Sequence, residues 1–361
     1  MAFRHEEFEL IDWIVQNISG AKYDLTSTGL DPPRLMDLGI EVKYERFAKE
    51  PQLAESIGQA YGVPSTEVLA TSGCTLALYL IFATLLRPND EVIVQMPNYP
   101  PLYKVPRVLG AKVTEVRMGF KGGFKLDLDA LEKVLSKKTR MLVLTNSNNP
   151  TGVRLTKSDL EEIANITART GTFLLVDETF REFAVNPAPL ARNLGNHVLS
   201  TNTLAKYFGM GDLKVGWIIA KKDLIQKIQA VNKWVSINVA PLSARVASQI
   251  FENKKKFDDR AASIMNQNLQ IAKAFFKRTI DYINWVEPDG APICFPKSKL
   301  PLSSLQLSKT LIDRFGILVS PGEFFESPGH FRLSFAGSSA RVEKGLDSLA
   351  KAFSVLSKEK S

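Results

Sequence analysis

Cysteine is scarce in this chain, where only Cys74 and Cys294 occur among 361 residues. They lie far apart and without the close spacing of metal ligands, so we expect neither a disulfide framework nor a bound metal. Long hydrophobic runs are also missing. The longest, residues 76–86, is well short of the roughly 20 residues that a membrane-spanning helix needs, which predicts a protein without a membrane crossing.

The N-terminus lacks the basic start and apolar block of a secretory signal, because it begins Met1-Ala2-Phe3-Arg4-His5-Glu6-Glu7. We therefore expect a cytoplasmic protein. Acidic residues are outnumbered, 38 Asp and Glu against 46 Lys and Arg, which gives a formal net charge of +8. The lysine clusters lack interleaved aromatic residues, so they predict a solvated surface and no nucleic-acid partner.

The rest of the composition is ordinary for a globular protein, since 45% of the residues are apolar and 23% are charged. A chain of this length is too long for one ordinary core, which favours two domains of unequal size. We expect residues 46–275 to form a large α/β domain. Residues 1–45 and 276–361 are expected to form an N-terminal segment and a small C-terminal α+β domain.

Between residues 71 and 220, short apolar runs alternate with helical stretches. We predict strands at residues 91–96, 112–117, 140–146, 172–177, 197–202 and 214–220, and later at 285–295, 317–321 and 331–335. Helices are predicted at residues 75–86, 101–109, 128–136, 158–170, 222–235, 241–280, 303–315 and 340–356. The alternation favours an α/β fold with a mostly parallel sheet between helices, whose ligand-binding loops gather at the carboxyl ends of the strands.

Lys206 stands in a glycine-punctuated loop after a predicted strand, in Thr203-Leu204-Ala205-Lys206-Tyr207-Phe208-Gly209-Met210-Gly211. A side chain in such a loop can point into a cleft, and a buried lysine amine loses its proton readily, as Schiff-base chemistry requires. Taken alone, Lys206 would be interpreted as a solvated surface lysine, the usual fate of this residue type.

Two further segments place polar residues after buried strands. Asn149-Pro150-Thr151-Gly152 has the sequence of a tight turn. Asp177 ends the run Phe173-Leu174-Leu175-Val176-Asp177. An acid there either caps the following helix or holds a pyridine nitrogen protonated, which makes the ring an electron sink.

Two more segments suit the binding of a flat, phosphorylated ligand. Gly73, Cys74 and Thr75 open an apolar helix, where free backbone amides at the positive end of the helix dipole suit a phosphate. The alternative there is a simple N-cap. Tyr99 follows a predicted strand, where its ring would either stack on a flat heterocycle or pack in a core.

In this order and at these spacings, the segments resemble the fold-type-I aminotransferases of class I and II, the aspartate aminotransferase-like family, from about residue 25 to the C-terminus. The resemblance implies that the large domain binds pyridoxal 5′-phosphate (PLP). Lys206 would hold PLP as a Schiff base and move the proton of the substrate Cα. Asp177 would pair with the pyridinium nitrogen, Asn149 would donate to the ring oxygen O3′, and Tyr99 would stack on the ring.

The same resemblance implies the contacts of the phosphate and of the substrate. The positions of the phosphate cup are Gly73, Cys74, Thr75, Thr203 and Lys214. Tyr44 would reach the phosphate of a neighbouring subunit, which implies a homodimer with composite sites. Arg332 would bind the substrate α-carboxylate through a bidentate fork, with Gly29 and Asn149 beside it.

The resemblance implies transfer of an amino group from an L-amino acid to a 2-oxo acid. A second hypothesis keeps the same cofactor but eliminates from Cβ, as the C–S lyases of this fold do, or cyclises a side chain. A third is a non-catalytic, regulatory protein of this fold, which the presence of both Lys206 and Asp177 disfavours. The sequence does not identify the amino donor.

Phe180 departs from the family pattern, since three residues after the aspartate the family usually has a tyrosine that donates to O3′. Without that hydroxyl the negative charge on O3′ is less stabilised, so we predict that the pKa of the Lys206 Schiff base lies above the family norm. A pH titration of the visible absorbance of the PLP-loaded protein measures this pKa, and an ordinary value would contradict the prediction.

Overall fold

The computed structural model describes residues 6–42 and 53–359. The strands within these ranges are β1 Tyr23–Asp24, β2 Val68–Thr71, β3 Glu91–Met96, β4 Lys112–Arg117, β5 Thr139–Thr145, β6 Phe173–Asp177, β7 Val198–Thr203, β8 Gly216–Ile219, β9 Ile283–Asn284, β10 Ile293–Cys294, β11 Lys297–Ser298, β12 Ile317–Leu318, β13 Ser320–Pro321 and β14 Phe331–Ser334. The α-helices are α1 Glu9–Asn17, α2 Leu53–Tyr61, α3 Cys74–Leu85, α4 Pro101–Val108, α5 Leu128–Val134, α6 Lys157–Thr170, α7 Lys222–Val235, α8 Pro241–Glu252, α9 Lys254–Arg278, α10 Ser304–Phe315 and α11 Ser339–Lys358. None of these helices has the length and apolar character needed to cross a membrane.

The largest sheet has seven strands in the order β2-β8-β7-β6-β5-β3-β4. β4, β3, β5, β6 and β7 run parallel to one another, whereas β8 is antiparallel to both β7 and β2. The predicted α/β class with a mostly parallel sheet is therefore confirmed. The sequence does not predict β2, because its four residues are too few to show a periodic pattern.

Helices cover both faces of this sheet, because alternate residues of one strand enter two different cores. In β5, Met141 and Val143 pack in the core that contains the apolar side of α3. Leu142 and Leu144 pack on the other face, in the core that contains Leu160 of α6. Burial on both faces explains why the strand is a continuous apolar run rather than an alternating one.

A smaller antiparallel sheet has the order β10-β14-β13. In β14, Phe331 and Leu333 pack in a core with α9, α10 and α11 that includes Phe353. Side chains alternate along a strand, so Arg332, which pairs with Ser320 of β13, lies on the opposite face. β1 pairs in parallel with β12, which joins the N-terminal segment to this part of the chain.

The prediction of one helix over residues 241–280 is wrong, because α8 and α9 are separate helices that meet at Asn253. The backbone of Asn253 leaves the helical region, with φ −103° and ψ 18°. Its side-chain amide donates to the carbonyl oxygen of Gln249 at 2.9 Å. An asparagine side chain that competes with the backbone for hydrogen bonds in this way ends a helix.

His330 precedes β14 and lies in an aromatic cluster. Its ring stacks on Phe295, with centroids 5.1 Å apart, and lies 6.0 Å from the ring of Phe124. Neither ring nitrogen makes a hydrogen bond of ordinary geometry within the described part of the chain. Burial lowers the pKa of His330 below its ordinary value of 6.5, so the imidazole is held neutral.

We predict that part of the pH dependence of folding comes from His330. Its pKa is lower in the folded than in the unfolded chain, so the unfolded chain binds more protons as the pH falls below 6.5. The free energy of unfolding should therefore fall on acidification, and His330→Leu should reduce that loss. Urea titrations at about pH 7.5 and about pH 5.5 measure it. An equal pH dependence in the two proteins would contradict the prediction.

Candidate active site

A cavity of about 540 Å³ lies at the carboxyl ends of the parallel strands. The sequence-predicted residues that line it are Gly73, Cys74, Thr75, Tyr99, Asn149, Asp177, Thr203, Lys206, Lys214 and Arg332. Gly29 is not among the residues that line the cavity. It packs against the backbone of Ala205 and Lys206. Tyr44 falls within residues 43–52, outside the part of the chain that the structure describes.

Asp177 is buried at the end of β6. Its Oδ1 accepts hydrogen bonds from the amide of Thr179 at 3.1 Å, from the hydroxyl of Thr179 at 2.6 Å and from the hydroxyl of Thr201 at 3.3 Å. Oδ2 has no hydrogen bond to the residues described, so it is left for a group in the cavity. Burial raises the pKa of Asp177, and the hydrogen bonds from the two threonines oppose that rise.

Lys206 follows β7, and the N-terminal segment holds its backbone. The amide of Leu30 donates to the carbonyl oxygen of Lys206 at 2.9 Å. A Cβ on Gly29 would lie 2.4 Å from the carbonyl oxygen of Ala205, so only glycine permits this approach. Burial, and then the nearby positive charge of Arg332, lower the pKa of Lys206 from 10.5 to about 8. At that pKa roughly a tenth of the amine is uncharged at pH 7, far more than for an ordinary lysine.

The N-terminus of α3 opens into the cavity at Cys74. Its N-cap residue is Gly73, and no side chain among the described residues makes a capping hydrogen bond. Gly73 precedes the helix with φ +94°, in a region that glycine occupies without strain. Uncapped amides at the positive end of a helix form an anion site, and Thr203 and Lys214 line the same cavity.

Arg332 is buried on the face of β14 that meets the cavity. Nη1 donates to Oδ1 of Asn149 at 3.0 Å, and Nη2 donates to the carbonyl oxygen of Thr26 at 3.2 Å and to the hydroxyl of Ser320 at 3.3 Å. None of these partners is an anion, and Nε has no partner among the described residues. Burial lowers the pKa of Arg332 to about 10. A buried cation without an anionic partner is suited to bind a carboxylate.

Two aromatic side chains form walls of the cavity. Tyr99 packs edge-on against Phe8, with ring centroids 5.7 Å apart, and burial raises the pKa of its hydroxyl to about 12. Phe180 is fully buried and packs against Phe183, with centroids 6.0 Å apart. The wall at position 180 is therefore apolar.

The sequence does not predict that α1 forms part of the site. The residues of this segment that line the cavity are Leu10, Ile11, Ile14 and Ile18. Their helical spacing is visible in the sequence and indicates one apolar face. What that face covers depends on distant contacts, such as the hydrogen bond from the indole of Trp13 to the carbonyl oxygen of Val319 at 3.0 Å.

Known proteins are similar to this chain in sequence and in fold. A family model described as aminotransferase class I and II matches residues 38–349. The chain is 29% identical to capreomycidine synthase of Streptomyces vinaceus over 94% of its length and 92% of that protein, and 26% identical to an aspartate aminotransferase of Streptomyces avermitilis over 90% and 86%. A PLP-dependent aminotransferase from Streptococcus suis superposes with a TM-score of 0.91 at 25% identity, and the match covers 99% of both chains.

The fold is that of the fold-type-I PLP-dependent enzymes. The chain belongs to the aminotransferase class I and II family, and the resemblance inferred from its sequence is confirmed. PLP is the cofactor of this family, and the cavity suits it. The uncapped N-terminus of α3 suits the phosphate, the free oxygen of Asp177 suits a pyridinium, and the amine of Lys206 suits an aldehyde.

Gly216, the first residue of β8, packs directly against the N-terminus of α3, which the sequence gives no reason to expect. A Cβ there would lie 2.5 Å from the backbone nitrogen of Cys74 and 2.5 Å from the carbonyl carbon of Gly73. Both are backbone atoms, so a side chain at position 216 must displace the helix terminus.

We predict that Gly216→Ala weakens PLP binding. Loss of one amide–phosphate hydrogen bond costs about 1.5–3 kcal/mol, so the Kd should rise on the order of tenfold to a hundredfold. Fluorescence titration of the apo protein with PLP measures the Kd. Gly119→Ala is the matched control, because a Cβ at Gly119 meets no atom within 4 Å. An unchanged Kd for Gly216→Ala would contradict the prediction.

Proposed function

We propose that the protein is a transaminase that moves the amino group of an L-amino acid to a 2-oxo acid. The observation that carries this proposal is the convergence of Lys206, Asp177 and Arg332 in one cavity. Each supplies one requirement of the reaction, namely an amine of low pKa, a buried carboxylate with a free oxygen and a buried cation without an anion.

When bound, PLP supplies an electron sink beside the substrate Cα. Lys206 would hold the cofactor and, as a free amine, would take the proton from Cα and deliver it across the substrate nitrogen, which is the 1,3-proton shift that amino transfer requires. Asp177, whose Oδ2 makes no hydrogen bond to the described residues, would keep the pyridine nitrogen protonated. Arg332 binds the α-carboxylate through a bidentate fork, which fixes the bond at Cα that faces Lys206.

The remaining predicted residues hold the cofactor in this proposal. The residues assigned to the phosphate are Gly73, Cys74, Thr75, Thr203 and Lys214. Tyr99 would lie against the ring, and Asn149, whose Oδ1 accepts from Arg332, would hydrogen-bond the ring oxygen O3′. Asn149 thereby connects the cofactor to the group that binds the substrate carboxylate. Gly29 lies against the Lys206 loop and is assigned to the same end of the substrate.

We further propose that the protein is a cytoplasmic homodimer. Trp234 and Ile237, at the end of α7, are 90% and 67% exposed. Ser236, between them, lies 3.2 Å from Ser72 of the cavity wall, with one hydroxyl donating to the other. An exposed apolar patch beside the cavity suits a second copy of the chain, whose Tyr44 would complete the site.

A second candidate is supported by the similarity to capreomycidine synthase, at 29% identity against 26% for the aspartate aminotransferase of Streptomyces avermitilis. In that candidate the same residues serve elimination from Cβ, as in a C–S lyase, or closure of a ring in the side chain. The third candidate is a non-catalytic protein of this fold. The lowered pKa of Lys206 argues against it, because such shifts are typical of catalytic residues.

We predict that the PLP-loaded protein reacts with one class of amino acid in the absence of any oxo acid. The cofactor should retain the amino group, so its absorbance moves from the visible to the near ultraviolet, and adding a 2-oxo acid should reverse the change. Lys206→Ala should abolish the conversion. Lys222→Ala, at the start of α7 and outside the cavity lining, is the matched control and should convert normally.

Other outcomes separate the candidates. Release of ammonia and a 2-oxo acid without retention of the amino group would support elimination. A cyclic amino acid as product would support ring closure. A spectrum that no amino acid changes would contradict catalysis altogether.

A further inference from the structure

The proposed function assigns a role to most, but not all, of the charged side chains that line the cavity. The charged side chains that line it are Asp24, Asp177, Lys206, Lys214 and Arg332. Four of these have a partner on the cofactor or at the substrate's α-carboxylate in the proposal above. Asp24 has none.

Asp24 lies in β1, which pairs in parallel with β12. Its Oδ1 accepts from the amide of Thr26 at 2.7 Å and from the hydroxyl of Thr26 at 2.6 Å. Oδ2 makes no hydrogen bond or ion pair to the described residues. The carboxylate is therefore oriented by Thr26 and keeps one oxygen for a ligand.

The segment that holds Asp24 also contacts the carboxylate-binding arginine. Thr26, two residues further on, accepts a hydrogen bond from Nη2 of Arg332 through its carbonyl oxygen at 3.2 Å. An amino acid whose α-carboxylate binds Arg332 is therefore held next to the segment that carries Asp24.

The N-terminal segment also gives the same cavity an apolar wall. Leu10, Ile11 and Ile14 of α1 and Ile18 beyond it line the cavity from one side of the N-terminal segment. A methylene chain gains from burial against such a wall, whereas a charge does not. The wall and the carboxylate together fit a side chain that is aliphatic along its length and cationic at its end.

We propose that Asp24 is a specificity-determining residue that selects amino donors with an aliphatic side chain ending in a cation, the chemical class of ornithine, lysine and arginine. This inference rests on the proposed amino transfer at the same site. Asp24 also disfavours donors with an acidic side chain, because two carboxylates would face each other without a cation between them.

A rival explanation is that Asp24 only balances the charge of Arg332, since the nearby carboxylate raises the pKa of that guanidinium against the effect of burial. The two explanations predict different effects of removing the charge. A counter-ion for Arg332 would affect every donor equally, because every donor carries an α-carboxylate. A specificity residue affects only cationic donors.

The test compares Asp24→Asn with the natural chain, both loaded with PLP. Asparagine keeps the size of the side chain and the Oδ1 acceptor for Thr26, and it replaces the charged Oδ2 by a neutral NH2 group. We expect kcat/KM for L-ornithine and L-lysine to fall on the order of tenfold or more, and that for L-norvaline and L-norleucine to change by less than about twofold. Asp12→Asn, an exposed acid on α1 that does not line the cavity, is the matched control and should change neither group of donors.

Binding without turnover is measured separately. α-Methylornithine has no Cα proton to lose, so its effect on the visible spectrum of the holoenzyme reports affinity alone. Its Kd should rise for Asp24→Asn, whereas the Kd of α-methylnorvaline should not.

The outcomes separate this inference from the proposed function. Equal losses for cationic and neutral donors, or a natural chain that prefers neutral or acidic donors, would overturn the role of Asp24 while leaving the transaminase intact. Selective binding of α-methylornithine that depends on Asp24, in a protein that transfers no amino group, would support the cation subsite and reject the transaminase.

Discussion

Parallel pairing of β5, β6 and β7 is the constraint on which the active site depends. Thr145 pairs with Asp177, and Asp177 pairs with Thr201, so the three strands end at one edge of the sheet. Asn149, Asp177 and Lys206 follow or form these ends and become neighbours although they are distant in the chain. A shift of one residue in β6 would turn Asp177 to the other face of the sheet, away from the cavity.

The buried charged side chains near the end of β6 and on β14 differ in whether they have partners. Glu178, next to Asp177, is equally buried, but it forms an ion pair with Arg181 at 3.1 Å. Asp177 and Arg332 instead keep an unbonded atom each among the described residues, at a cost in stability that a structural residue would not retain. The incompletely bonded charges of these two side chains both lie at the cavity, as is common at functional sites.

Much of the large sheet could be predicted because its signals are local. The apolar run of β5 and the turn at Asn149 are visible without knowledge of the fold. β2, the break at Asn253, the contact of Gly216 with α3 and the position of Asp24 could not be predicted, since each is defined by a segment far away in the sequence. The motifs predicted the residues around Lys206 and Asp177 that line the cavity, whereas Leu10, Ile14 and Asp24 line it from the N-terminal segment, which carries no comparable motif.

The two faces of β14 contact different parts of the protein, one a core and the other the cavity. Phe331 and Leu333 belong to the core around Phe353, and Arg332 between them enters the cavity. Because a short strand moves as a unit, repacking of this core displaces the guanidinium. Substitutions that touch no ligand thus alter how firmly a carboxylate is held. Two proteins with identical cofactor residues can therefore come to prefer different amino acids through substitutions in the core of the C-terminal part of the chain.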